Sequence, residues 1–106
     1  MNVYSGRCVM SDCDCPEALE AAHIHPYRGD ETNDVTNGLL LRADIHTLFD
    51  LGKISIDADR YTIIISPSLR KTVYGKLDGL ELYPPKNPRQ KPSVEALKKH
   101  RLMAGL

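Results

Sequence analysis

The sequence predicts a small α+β domain: a central strand–loop–helix unit, then a β-hairpin, then a C-terminal helix. Three observations carry that prediction. First, "HIHPY" (23–27) reads as an extended run, and an 11-residue polar loop, "RGDETNDVTNG" (28–38), joins it to "LLLRADIHTLFDLG" (39–52). Second, "KISID" and "YTIIIS" are β-rich runs either side of a short "ADR" turn. Third, "SVEALKKHRLMAG" (93–105) has a serine at its start and a glycine at its end, as a capped helix does.

Taken in order, "RCVMS" (7–11) reads as a short strand, and "DCDCP" (12–16) as the turn that breaks it. "EALEAA" (17–22) holds helix formers but is too short to assign. In an extended segment His23 and His25 share one side, and Ile24 takes the other, where it anchors the strand in the core. Pro26 favours an extended conformation at His25. A loop of this length suggests function. Leu41, Ile45, Leu48 and Phe49 fall at helical spacing, Asp44 suits a first helical turn, and Gly52 is a stop signal. From Ser66 to Pro92 the chain is punctuated by Pro and Gly. No internal repeat or linker is visible, so 1–106 is expected to form one domain.

Composition narrows the function classes. The chain is 42% hydrophobic, enough for a packed core. No apolar run approaches the ~20 residues of a membrane span, and "MNVYSGRCVM" lacks the pattern of a signal peptide. The expectation is a soluble, cytoplasmic protein with no membrane partner. Fourteen basic residues balance fourteen acidic ones, which argues against a binder that uses its whole surface on nucleic acid. The balance is uneven, however. Six basic residues (Lys86, Arg89, Lys91, Lys98, Lys99 and Arg101) meet one acid, Glu95, between Pro84 and Arg101. That stretch is either a solvated tail and helix face or a local phosphate-binding patch. Cys8, Cys13 and Cys15 are one thiolate short of a four-cysteine zinc site, and no later cysteine completes it. Three cysteines with His23 or His25 remain an alternative to free thiols in a turn.

The residues with chemical potential are His23, Asn37, His46 and Asp50. His46 and Asp50 are four apart, so one helix face presents both, and such a pair can hold one divalent cation. His23, delivered from a neighbouring strand, would stand across from it as a general base. Phosphodiester hydrolysis needs that combination: a deprotonated water and a charge that stabilises the developing oxyanions. Spacing alone leaves ordinary surface histidines as the alternative. His100, on the basic terminal helix, reads as a surface or phosphate-contacting residue.

The string "AAHIHPY…TNGLLLRADIHTLFDLGKISID" resembles the HNH endonuclease family, and in particular the subgroup reading "AAHI.P", then "NGLLL..D.H.LFD.G". The His–Asn–His order is present as His23, Asn37 and His46, separated by 14 and 9 residues. The downstream hairpin and the terminal "PS.E.L..HR" helix are similar to that subgroup too, so the resemblance covers roughly residues 7 to 103. It implies a ββα-metal motif, two strands and a helix around one divalent cation. Magnesium is the first expectation, with manganese, nickel or zinc as alternatives. It further implies that His23 is the base that activates water, that Asn37 pins the loop and so holds the base strand, and that His46 is a metal ligand with Asp50 one turn on. Many members carry an acid or histidine just before the base; here that position is Ala22. His25 is the candidate to replace that ligand. Arg42 and Ile45 occupy the places where a second cysteine pair would flank His46, so core packing is expected to hold the unit without zinc.

The implied substrate is DNA, double-stranded, held mainly through phosphates. Arg28 and Arg42 flank the proposed centre, and Lys98, Lys99 and Arg101 would extend the footprint. A homodimer or a larger multidomain protein would supply specificity, in a restriction or phage-defence setting. Two rival readings stand beside this one: a catalytically inactive HNH-fold module that binds nucleic acid, and a cysteine/histidine zinc module.

Overall fold

The computed structural model describes residues 2–25 and 34–106. Arg28 and most of the polar loop lie outside the described residues. The architecture is α+β, with two two-stranded antiparallel sheets and two helices.

Strand β1 (Leu19–His23) pairs with β2 (Gly38–Arg42), placing His23 opposite Gly38 and Glu20 opposite Leu41. Helix α1 (Ala43–Asp50) follows β2 directly. The helical periodicity therefore begins later than the sequence suggests. Leu39, Leu40 and Leu41 are all buried in β2, because this strand is covered on both faces. Ile45 and Phe49 turn the apolar stripe of α1 into the core. Burying a side chain the size of Phe49 contributes about 1.5–3 kcal/mol. The helix stops at Gly52, whose φ is +73°. A Cβ there would come 3.2 Å from Ala104 Cα, so the glycine also lets the end of α1 approach the end of the last helix.

The hairpin forms as expected, from β3 (Ile54–Asp57) and β4 (Thr62–Ile65). Ile54, Ile56, Ile63 and Ile65 are at most 1% exposed, and they form the largest block of β-branched core. Helix α2 (Val94–Ala104) packs on β3. Ser93 Oγ accepts from Ala96 N, and Gly105 takes the left-handed conformation past the last turn, as the sequence predicts.

Three readings need correction. The "RCVMS" stretch is a turn, not a strand. Cys8, Val9 and Met10 are buried in succession, whereas a half-covered strand would send alternate residues out. Backbone bonds from Cys8 N to Cys13 O, Asp12 N to Cys8 O and Val9 N to Leu40 O hold the turn against β2. Second, β1 ends at His23, and Ile24 and His25 lie in a bend, so His25 does not continue the strand face of His23. Ile24 is still an anchor, at 2% exposure. Third, His100 is not on the surface: it is 6% exposed. Ala96, Leu97, His100 and Ala104 form the inner stripe of α2, while Lys98 and Lys99 are exposed.

Candidate active site

A cleft of about 460 Å³ opens where β1 meets α1, and His23, His46 and Asp50 all line it. The chain brings them together simply. His23 is the last residue of β1, and the β1–β2 pairing sets that strand beside the strand that feeds α1. His46 and Asp50 lie one helical turn apart on α1, with His46 Nε2 3.1 Å from Asp50 Oδ2. The other face of the His46 ring is also engaged. Its Nδ1 lies 2.8 Å from Glu20 Oε1, and a carboxylate only accepts, so Nδ1 donates. Glu20 is a contact that sequence reasoning missed. Strand alternation sets it on the face opposite His23, and only the packing of α1 reveals where it reaches.

Asn37 is 7% exposed and works through the backbone of the bend. His25 N donates to Asn37 Oδ1 at 2.9 Å, and Asn37 Nδ2 donates to His25 O at 3.0 Å. Ile24 N donates to Asn37 O at 2.8 Å. Three bonds thus fasten the two residues after His23 to the start of β2. The same capture turns His25 away. It lines a separate cleft with Asn37, Ser93 and Lys99, so the structure does not bring it to His46.

The cationic candidates are dispersed. Arg42 grips Asp44 with two bonds, Nε to Oδ1 at 2.7 Å and Nη2 to Oδ2 at 3.0 Å. Tyr74 donates to the same carboxylate at 2.6 Å. The Arg42 guanidinium, aided by Tyr74 and opposed by desolvation, holds the Asp44 carboxyl down at about 2. Asp44 is therefore an arginine partner, and Arg42 lines another cleft with Tyr74 and Val73. Lys99 pairs with Glu95 at 3.2 Å and Arg101 with Asp57 at 3.4 Å.

His100 borders the main cleft from beneath. Its ring stacks on Phe49 with centroids 3.7 Å apart and planes 7° from parallel. Nε2 donates to Phe49 O at 2.8 Å, which leaves Nδ1 to accept from Ser55 Oγ at 2.8 Å. Burial pushes this imidazole below the ordinary histidine value, against the pull of Phe49 O and Asp50.

The donor set bears on the metal. Among the described residues no three His, Cys, Asp or Glu side chains converge as a ready cage. Ala22 is 2% exposed and is a packing residue, so nothing replaces the donor at that position. Two donors do converge. Ligands at right angles, about 2.1 Å from one ion, stand about 3 Å apart, and His46 Nε2 and Asp50 Oδ2 stand 3.1 Å apart. One imidazole and one carboxylate suit a divalent ion that keeps water or phosphate at its other positions. The cysteines offer no alternative centre. Cys8 is buried, Cys13 half-buried and Cys15 exposed, and all three are free thiols.

Comparison with known proteins agrees with this fold. Residues 8–57 match the family model described as HNH endonuclease. The β1–β2–α1 unit lies within the matched span, and HNH nucleases generally use a divalent metal ion. No curated protein matches the chain as a relative. Among solved structures, the chain is similar to a protein described as a modification-dependent TagI restriction endonuclease, with a TM-score of 0.64 and 21% identity. The likeness covers 95% of this chain and 34% of that one, so the chain spans about a third of its neighbour's length. At that identity the match speaks for the fold. No helix among the described residues is long and apolar enough to cross a membrane.

Proposed function

We propose that residues 1–106 form a metal-dependent DNA endonuclease domain that hydrolyses phosphodiester bonds. The observation that carries this reading is the shared cleft: His23 from β1 opens onto the same space as His46 and Asp50 from α1. His46 and Asp50 are the residues that would hold one divalent cation, magnesium or a similar ion. When bound, that ion supplies a positive charge against the phosphate oxygens and the leaving oxygen.

In this reading His23 takes a proton from a water molecule in the cleft. The water oxygen forms a bond to phosphorus as one ester P–O bond breaks, and the departing oxygen is protonated from solvent. Imidazole suits the base role because it exchanges protons near neutral pH. Asn37 does not reach the reacting atoms in this scheme. Its bonds to His25 and Ile24 fix the chain leaving His23 and so aim the base. Lys98 is exposed on α2 and, with Lys99 and Arg101, is a candidate phosphate contact at the edge of the footprint.

The substrate is proposed to be duplex DNA and the setting restriction of foreign DNA in the cytoplasm. A neighbour about three times longer than the matched region supports a domain that works beside others, or as a homodimer, for specificity. The test is nicking of supercoiled plasmid in Mg2+, Mn2+ or Ni2+. Cleavage is expected, with loss in chelator and a fall of about 10²-fold or more in His23→Ala, the usual contribution of a general base. Nicking that persists undiminished in His23→Ala contradicts the mechanism. The rival reading, an inactive binding module, draws on the absence of a third converging ligand among the described residues. It predicts DNA binding without cleavage in every metal.

A further inference from the structure

The His46 imidazole lies between two carboxylates, and only one of them faces the cleft. Asp50 lines it with His23; Glu20 is not among the lining residues. Glu20 instead holds the far nitrogen of the ring, Nδ1, at 2.8 Å. The His46 side chain is 24% exposed and that of Glu20 is 52% exposed, so the contact sits at the rim, where a ring without a partner would be free to rotate.

We propose that Glu20 is the positioning residue that sets the tautomer and orientation of His46 for metal coordination. The inference rests on the reading that His46 is a ligand. A carboxylate that accepts from Nδ1–H leaves Nε2, the atom beside Asp50, as the nitrogen that would turn its lone pair to a cation. Ligating histidines characteristically donate their second nitrogen to a carboxylate, which fixes the ring and raises its basicity as a ligand. Here the carboxylate comes from β1, three residues before the proposed base. One strand therefore serves both sides of the site: its end delivers His23 into the cleft, and its middle braces the ring of the metal-bearing helix. The spacing of base strand and metal helix is set by a side-chain contact as well as by the backbone ladder. Glu20 is no ligand in this arrangement, and the two-donor character of the centre is unchanged.

The test uses the full chain and calorimetric addition of Mn2+, with thermal melting of the metal-free proteins as the control for folding. Glu20→Ala is expected to weaken Mn2+ affinity about 10- to 100-fold while melting as the wild type does. Glu20→Gln, whose amide oxygen still accepts from Nδ1–H, is expected to recover most of that loss. In the Zn2+-loaded wild type, the imidazole 15N shifts of His46 should report the Nδ1–H tautomer. Wild-type affinity in Glu20→Ala, with affinity lost in His46→Ala, overturns the positioning role and leaves the metal reading intact. An equal loss in Glu20→Gln and Glu20→Ala overturns it in favour of direct ligation by Glu20. Unchanged affinity in His46→Ala removes the metal reading and this inference with it.

Discussion

Asn37 shows how much one side chain can determine. Its amide meets both backbone groups of His25, and that pair of bonds ends β1 at His23 and sends His25 into a different cleft. Removing the amide leaves a part-buried N–H and C=O without those partners. Asn37→Ala is therefore expected to lower unfolding free energy by about 1–3 kcal/mol, measured by urea denaturation. An unchanged midpoint would show that the bend holds itself. The resemblance assigns Asn37 a pinning role, while Asn before Gly38 is also an ordinary turn pair. What separates those options is its 7% exposure and its bonds to both backbone groups of His25, which local sequence does not reveal. His25 was misplaced for the same reason. Strand alternation is a sound rule only while the strand continues, and here an amide 12 residues away stops it.

At the scale of elements, α1 and α2 are joined at their C-terminal ends. His100 links the last turn of α1 to β3 through Phe49 O and Ser55 Oγ, and Gly52 lets the helix ends approach. The neutral ring is the form that fits, and burial lowers the pKa of His100. The folded protein thus binds fewer protons here than the unfolded chain. Its contribution to stability is complete above the unfolded value of about 6.5 and is lost as pH falls below that, through the depressed folded value. His100→Gln is expected to be less stable than the wild type at pH 7.5 by about 1–3 kcal/mol, and the gap should narrow as pH falls toward 5. Chemical denaturation at several pH values measures it, and a constant gap would contradict the assignment. The helix caps and the hairpin were legible in the sequence because their signals are local: Ser93, Gly105, Gly52 and two β-branched runs. The strand assigned to "RCVMS" failed because a turn can bury the same apolar residues when another strand covers it.

For the molecule as a whole, three of the four described cationic candidates for phosphate contact are already paired. Net charge is zero, and Arg42, Lys99 and Arg101 are each paired with an acid. Binding to DNA through this chain alone should therefore use few phosphates. Three contacts correspond to a slope of about −3 in log affinity against log salt. Fluorescence anisotropy with a random duplex is expected to give a slope no steeper than that, and Lys98→Glu with Lys99→Glu should flatten it further. A slope of about −6 or steeper would mean that the ion pairs open on binding and that the footprint is larger. A domain with weak electrostatic grip is consistent with one that relies on other domains or subunits for placement.

The sequence by itself determined the α+β class, the hairpin, the capped terminal helix and the order of His23, Asn37 and His46, since each rests on residues within a few positions or on an extended family string. Tertiary structure alone decided which of them share a space. His46 meets Glu20 across 26 residues, and His100 meets Phe49 across 51. Asp44 is held by Arg42 and by Tyr74, which lies 30 residues further along the chain. Periodicity states which face of an element is apolar. It does not state which element will cover that face, and the polar contacts that build a site form only once the covering is settled.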